Sequence, residues 1–252
     1  MVVPHMKSLV LVGCVAVCIS VGWSKPNVRP VLIFSRACLL TWLRLASRLP
    51  LGAAPSSLQT PCDVLLVGSS VAAGVGADGN GWAQLLAQEV LPRHSFVNEA
   101  LAGSNTWNAP LLLTASLLRW RPKVIILSFS VGNDGLFLTF QEWQSSACAD
   151  GFIRGLHRLV AQAQRSGAKV IVTSVYPHSR FTPLHLAQVV RVREEMARLH
   201  CDGFIDFFTL LDDGHSRWRK EEEADPAHPN SRGHRKMLRL ARTEVQRVLA
   251  RA

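Results

Sequence analysis

Acidic residues are missing from the first quarter of this chain, because no aspartate or glutamate precedes Asp63 in a sequence of 252 residues. Lysines and arginines do occur there, so much of the formal net charge of +10 comes from this N-terminal quarter. Aromatic residues make up only 7% of the chain and are not interleaved with a basic patch. Nucleic-acid modules need such a patch on a folded surface. The sequence therefore argues against nucleic acid as a partner.

Cysteine is scarce and widely spaced, with six residues and no Cys-x-x-Cys pair. Zinc modules require closely paired ligands, so this spacing excludes the common zinc folds. Cys148 and Cys201 could form a disulfide if the domain faced an oxidising compartment, whereas buried, unpaired thiols are the simpler interpretation. The sequence contains no internal repeat.

Residues 1–58 are predicted to form a hydrophobic and basic segment that targets the chain or anchors it to a membrane, followed by a linker. Ser8 to Ser24 carries no charge and is at the lower length limit for a membrane span. Val31 to Leu51 contains three arginines and, as a helix, would suit an anionic membrane surface. The segment predicts that the protein is membrane-associated or enters the secretory pathway, but its acid-free composition also fits an organellar transit peptide.

Residues 59–252 are predicted to form one α/β domain. The predicted strands are Val64–Val67, Phe96–Ala102, Val124–Phe129, Lys169–Val175 and Phe204–Leu211. The predicted helices are Trp82–Val90, Pro110–Trp120, Glu142–Ser166, Leu184–His200 and a last helix capped by Ser231. This alternation favours a five-stranded parallel sheet with helices on both faces.

Small and polar residues follow the first three strands at the point where each strand ends. Ser70 follows the first strand, Gly103 the second and Asn133 the third. Asp225 and His228 lie in the loop before the last helix. Carboxyl ends of parallel strands meet at one edge of a sheet, where open α/β folds bind ligands. Each position also has a purely structural explanation, as a helix cap or a turn residue.

Together these residues supply the parts of acyl transfer. A serine hydroxyl needs a base, and the base needs an acceptor on its other nitrogen. Asp225 and His228 each precede a proline, which disfavours helix and predicts a stiff loop that presents both side chains to one side. The N–H groups of Ser70 and Gly103 and the amide of Asn133 could stabilise an oxyanion.

Four sequence blocks contain these residues: Gly68-Ser69-Ser70, Asn98–Asn105, Ser128–Gly135 and Asp225–Asn230. In this order and spacing, the four blocks resemble those of the SGNH (GDSL-type) hydrolase superfamily. The resemblance covers residues 62–250 and implies a three-layer α/β/α sandwich, flavodoxin-like, with no metal and no organic cofactor. It implies that Ser70 is the nucleophile, His228 the general base and Asp225 the residue that orients His228. It further implies an oxyanion hole made by Ser70, Gly103 and Asn133.

The sequence departs from the family pattern at Ser69, where the Gly-Asp-Ser motif has aspartate. Ser69 is a rival nucleophile, although using it would shift the block by one residue. We therefore predict a serine esterase that cleaves carboxylic esters through an acyl-enzyme. There are two alternatives. One is an acyltransferase on the same site, and the other is a catalytically silent, membrane-tethered domain that binds esters or carbohydrate.

Substrate identity stays open among short acyl esters, lysophospholipids and acetylated sugars. The acidic run Glu221–Glu223 is interpreted as a solvated face that could disfavour anionic substrates. The segment Pro177–Pro183 could overhang the site, and Trp82, Trp107 and Trp143 could line an acyl pocket, although packing roles are the simpler interpretation.

Overall fold

A computed structural model describes residues 59–252. The predictions made for residues 1–58, which concern targeting, membrane attachment and the linker, lie outside the described residues. Among the helices that the structure does describe, none combines the length and the apolar character that crossing a bilayer requires.

A parallel sheet of five strands forms the centre of the domain. Its strands are β1 (Thr60–Gly68), β2 (Phe96–Asn98), β3 (Trp120–Ser128), β4 (Lys169–Thr173) and β5 (Gly203–Ile205). Their spatial order is β2-β1-β3-β4-β5, and every neighbouring pair is parallel. This is the flavodoxin-like order of a doubly wound sheet. The predicted fold class is confirmed.

Helices cover both faces of this sheet. They are α1 (Ser70–Ala73), α2 (Trp82–Leu85), α3 (Ala109–Arg119), α4 (Glu142–Gln164), α5 (Pro183–Ala197), α6 (Phe207–Leu211) and α7 (Ser231–Leu249). A π-helical turn, Leu86–Val90, continues α2, and 3₁₀ turns occur at Leu136–Leu138 and Lys220–Glu222. A short hairpin pairs β6 (Glu223–Asp225) with β7 (His228–Pro229).

Two hydrophobic cores explain why the buried runs Val64–Val67 of β1 and Val124–Leu127 of β3 are apolar at every position. Leu65 and Val67 belong to the core that includes α3, α4 and α5, whereas Val64 and Leu66 belong to the core that includes α1, α2 and α7. Successive side chains of a strand point to opposite faces, so a strand covered on both sides has no solvent-facing position. This is the physical origin of the buried run in β1.

Several predicted strand and helix boundaries were wrong. The predicted strand Phe204–Leu211 is a three-residue strand followed by helix α6, because a short apolar run does not distinguish a strand from a buried helix. The predicted strand Phe96–Ala102 ends at Asn98, since only three of its residues pair with β1. Trp120, predicted to end a helix, is the first residue of β3.

The predicted cap of the last helix is corrected as well, whereas the simpler interpretation of two cysteines is supported. The cap of α7 is Asn230 and not Ser231, because the Asn230 side chain accepts hydrogen bonds from the N–H groups of Arg232 and Gly233. The structure has Cys148 and Cys201 as free thiols, so it supports unpaired cysteines and no disulfide between them.

The strand order also locates the site. β1 and β3 are neighbours at the centre of the sheet, and the chain passes from β1 to β2 on one side before it returns to β3 on the other. Ligands of open α/β sheets bind beyond the carboxyl ends of strands at such a switch point. The residues that follow Gly68 and Ser128 therefore lie at the expected edge.

Candidate active site

Ser70 begins the short helix α1 directly after β1. Its side chain is 9% exposed, whereas the neighbouring Ser69 is completely buried. Ser69 N–H is bonded to the carbonyl of Ser128, which joins the start of this turn to β3. Sheet and helix together hold Ser70, and not Ser69, at the accessible position.

Ser70, His228 and Asp225 form a continuous chain of hydrogen bonds. The distance from Ser70 Oγ to His228 Nε2 is 2.9 Å. His228 Nδ1 lies 2.9 Å from Asp225 Oδ1 and 2.8 Å from Asp225 Oδ2. The three predicted side chains, which come from both ends of the domain sequence, are therefore brought together in the predicted order.

The direction of these bonds follows from the chemistry of the groups. An ionised carboxylate only accepts hydrogen bonds, so His228 Nδ1 carries the proton and Nε2 presents a lone pair to the Ser70 hydroxyl. Burial acts to raise the pKa of Asp225, but hydrogen bonds from His228 and from Ala227 N–H outweigh it and lower that pKa. Asp225 thus stays ionised at neutral pH.

The β6–β7 hairpin presents Asp225 and His228 as a paired unit, since they are cross-strand partners. The sequence predicted a stiff loop here, and the structure adds the strand pairing. Asn230 stabilises the hairpin and joins it to α7. Its amide donates to the carbonyls of Glu221 and Glu223, while its oxygen caps α7. Asn230 is therefore a positioning residue that the sequence analysis missed, although it follows His228-Pro229 directly.

The backbone of Gly76 packs closely against Pro229 and His228, so a side chain at this position tests how packing affects the site. Its φ is +96°, and an added Cβ would lie 2.2 Å from the Pro229 carbonyl oxygen and 3.0 Å from His228 Cβ. We expect Gly76→Ala to lower kcat/KM by roughly 100-fold, because an ångström-scale displacement of a catalytic group has effects of that size. The free energy of unfolding should also fall by about 1–3 kcal/mol.

Gly79 provides the matched control for this substitution. It also has a positive φ, +135°, but an added Cβ would meet nothing within 4 Å. Gly79→Ala therefore introduces similar backbone strain without the contact to β7. Ester hydrolysis assays and urea unfolding on both variants separate the two effects, and an equal loss of activity in both would contradict the packing explanation.

The predicted oxyanion donors, Gly103 and Asn133, line the same cavity as Ser70. Ser70 N–H is at the first turn of α1, and among residues 59–252 no acceptor is bonded to it or to Gly103 N–H. Gly103 has φ +80°, a conformation that favours glycine. One N–H of the Asn133 amide donates to Ser104 O at 2.8 Å, which leaves its second N–H available.

Asp134 joins the loop that follows β3 to the loop that contains Gly103. Its carboxylate accepts hydrogen bonds from the N–H and from the hydroxyl of Thr106, three residues beyond Gly103. The adjacent Asn133 bonds Ser104 in the same loop. Burial raises the pKa of Asp134 to about 6, although the hydrogen bonds from Thr106 act in the opposite direction. The sequence alone, in which Gly132-Asn133-Asp134 is typical of a turn, does not reveal this contact.

The raised pKa of Asp134 predicts a pH-dependent stability. Between its ordinary pKa of 3.8 and about 6, the folded protein keeps a proton that the unfolded chain has lost. Stability contributed by this group is therefore present at low pH and decreases by about 2–3 kcal/mol as the pH rises through that window. Asp134→Asn does not titrate, so the wild-type free energy of unfolding should fall relative to the variant between pH 4 and 7. Urea unfolding at four pH values measures this difference, and a constant difference would contradict the assignment.

All five predicted site residues line one cavity of about 520 Å³: Ser70, Gly103, Asn133, Asp225 and His228. Phe137, His178 and Arg180 are among the other residues that line it. His178 and Arg180 belong to the segment predicted to overhang the site. By contrast Trp82 is a buried core residue, and Trp107 and Trp143 are 71% and 69% exposed and do not line the cavity.

His234 has a structural role that its sequence position did not reveal. It is completely buried, Nε2 donates to Val75 O at 3.1 Å, and Nδ1 accepts from Trp82 N–H at 3.2 Å. Burial lowers its pKa. His234 thus joins α7 to the loop that follows Ser70. Within the described part of the chain, no group of His, Cys, Asp or Glu side chains is arranged to hold a metal ion.

Comparisons with known proteins agree with this geometry. The sequence profile of the GDSL-like Lipase/Acylhydrolase family matches residues 66–236, more than half of the chain. No curated protein matches the chain.

Three similar solved structures show the same fold. TesA is 20% identical with a TM-score of 0.59, and the match covers 75% of this chain and 99% of TesA. A GDSL-like lipase from Bacteroides thetaiotaomicron is 16% identical with a TM-score of 0.55, covering 81% and 96%. The esterase EstA from a Pseudoalteromonas species, in a structure inhibited by monoethylphosphonate, is 19% identical with a TM-score of 0.58, covering 75% and 98%.

The resemblance drawn from the four sequence blocks is therefore confirmed by the family profile and by the fold. This chain belongs to the GDSL-like lipase/acylhydrolase family.

Proposed function

We propose that this protein is a serine esterase that hydrolyses carboxylic esters through an acyl-enzyme. The observation that carries the proposal is the hydrogen-bond chain from Ser70 Oγ through His228 to Asp225, at one wall of a cavity. The nucleophile, the base and the acceptor of such an enzyme need this connection. Family membership supports an acyl substrate.

In the acylation step, Ser70 Oγ attacks the ester carbonyl carbon while its proton moves to His228 Nε2. The carbonyl oxygen becomes an oxyanion, which accepts hydrogen bonds from Ser70 N–H, Gly103 N–H and the Asn133 amide. The bond between the carbonyl carbon and the alcohol oxygen then breaks, and the protonated His228 delivers its proton to the leaving oxygen. Asp225 stabilises the imidazolium and keeps the ring in the correct orientation.

Deacylation repeats these steps with water. His228 Nε2 takes a proton from the water, whose oxygen attacks the acyl carbon, and the bond to Ser70 Oγ breaks. His228 returns the proton to Ser70, and the carboxylic acid leaves. In an acyltransferase the hydroxyl of an acceptor molecule would take the place of water at this step.

The first test uses the purified full chain with 4-nitrophenyl esters of acetate to dodecanoate and with a fluorophosphonate probe. We expect ester hydrolysis and covalent labelling at Ser70, identified by mass spectrometry of the labelled peptide. A chain that neither hydrolyses any ester nor reacts with the probe would be the silent binding domain. Ester consumption that requires an added alcohol, with transfer of the acyl group to it, would identify an acyltransferase.

For residues 1–58 we propose targeting to a membrane, either along the secretory pathway or in an organelle. The support is the uncharged stretch Ser8–Ser24 and the arginine-bearing stretch that follows it. Fractionation of cells that express the full chain or a chain starting at residue 59 tests this proposal.

A further inference from the structure

The cavity beside Ser70 contains a cationic side chain without an ion-pair partner. Arg180 lines the cavity, and within residues 59–252 no carboxylate lies within 4.0 Å of its guanidinium group. The only other ionised side chain along the described cavity wall is Asp225, whose carboxylate is engaged by His228 and by Ala227 N–H. The charge of Arg180 is therefore available to a ligand.

The backbone at Arg180 is held in place by the chain around it, and the side chain is exposed at the cavity. Its N–H donates to His178 Nδ1 at 3.1 Å, and its guanidinium carbon lies 6.0 Å from the centre of the Phe137 ring. The adjacent Ser179 N–H donates to the carbonyl of Pro226, between Asp225 and His228. Arg180 thus sits on a turn bonded to the hairpin, so less conformational freedom is lost when a ligand binds.

His178 adds a neutral donor to the same wall. Because Nδ1 accepts from Arg180 N–H, the ring proton is on Nε2, and no described residue accepts a hydrogen bond from it. Burial, followed by the nearby charge of Arg180, lowers the pKa of His178 to about 4, so the ring is neutral at physiological pH. Phe137 stacks on it with ring centres 4.9 Å apart.

We propose that Arg180 and His178 form an anion-binding subsite that selects esters carrying a carboxylate or a phosphate group. The proposal rests on the proposed esterase function and names its substrate class. A guanidinium group can donate two parallel hydrogen bonds to either anion, and an imidazole N–H can donate a third. The acidic run Glu221–Glu223 does not oppose this, because none of it lines the cavity and Glu222 is paired with Arg232 and Lys236.

Two matched substrate pairs test the subsite and distinguish the two anions. The first pair is 4-nitrophenyl hydrogen glutarate and 4-nitrophenyl pentanoate, which differ by a carboxylate on the acyl chain. The second pair is 1-butyrylglycerol 3-phosphate and 1-butyrylglycerol, which differ by a phosphate on the alcohol. The readout for each pair is the ratio of kcat/KM for the anionic ester to kcat/KM for the neutral ester.

In Arg180→Gln we expect this ratio to fall about tenfold for at least one pair, the size typical of a hydrogen bond to a charged group. Arg180→Lys should retain part of the preference, because a lysine keeps the charge but not the paired donors. Arg239→Gln is the matched control, since Arg239 is exposed on α7, has no ion pair among the described residues and does not line the cavity. A ratio that stays within twofold for both pairs, or falls equally in Arg239→Gln, would overturn the proposal.

A binding measurement separates failure of the subsite from failure of the esterase function. Glutarate and glycerol 3-phosphate are titrated by calorimetry into the full wild-type chain and into the Arg180→Gln chain. Binding that weakens about tenfold in the variant supports the subsite even if no ester is hydrolysed. Equal binding by both chains contradicts the subsite, whatever the activity.

Discussion

Replacing Ser70 by alanine is expected to lower kcat for 4-nitrophenyl butyrate by a factor on the order of 10⁵, because the acyl-enzyme can no longer form. The side chain reaches His228 Nε2 at 2.9 Å, and the remaining oxyanion donors can supply only residual catalysis. Burst and steady-state measurements of nitrophenolate release check the loss. Circular dichroism and urea unfolding show whether the variant is folded.

Ser69→Ala is the matched control, because Ser69 is the rival nucleophile. Its hydroxyl is completely buried and has no hydrogen-bond partner among the described residues. A buried hydroxyl without a partner carries an uncompensated desolvation cost. The alanine variant should therefore keep most of the activity, and its free energy of unfolding should stay the same or rise by up to about 1 kcal/mol. Activity that survives in Ser70→Ala but disappears in Ser69→Ala would reverse the assignment.

The second large effect is expected at His228. His228→Ala removes the base bonded to Ser70 Oγ, so kcat should fall by a factor on the order of 10⁵. His215→Ala is a suitable control, because His215 is an exposed histidine whose ring makes no hydrogen bond to the described residues. An imidazole added to His228→Ala should restore part of the activity if the defect is chemical and not structural.

Asp225→Asn should cause a loss roughly 100-fold smaller than the loss of His228, as is typical when the orienting carboxylate of a triad is removed. The Asp225 side chain is 49% exposed, so water can replace part of its interaction with the imidazolium. The asparagine amide also allows the wrong tautomer of His228, which explains why the loss is still large. A loss equal to that of His228→Ala would show that Asp225 does more than orient the ring.

Much of the architecture was predictable because it depends on local patterns. The buried run Val64–Val67 had to be a central strand, since no position along it is suited to water, and it lies within β1. The prediction of a strand over Phe204–Leu211 was wrong because the local pattern there is ambiguous. An apolar run of that length satisfies a strand and a buried helix equally, and only packing against α7 and the sheet decides between them.

The candidate site likewise contains residues that local patterns predicted and one residue that they did not. Ser70, Gly103, Asn133, Asp225 and His228 were predicted because each stands beside a glycine, a proline or a strand end that restricts the backbone, and all five line one cavity. The contribution of Asp134 was not predictable, because a carboxylate in a turn looks the same whether or not it bonds a distant loop. Its partner Thr106 lies 28 positions away.

The sequence by itself determined which residue types form the candidate site and near which strand ends they lie. Strand ends and turns follow from backbone preference and apolar periodicity. Tertiary structure alone decided that Ser70, and not Ser69, has an accessible hydroxyl, because the strand-to-helix turn buries one of two chemically identical neighbours. It also decided that Arg180 and His178 face the same cavity as Ser70. Contacts between segments more than 100 residues apart depend on how the layers pack, and no local pattern in the chain encodes that distance.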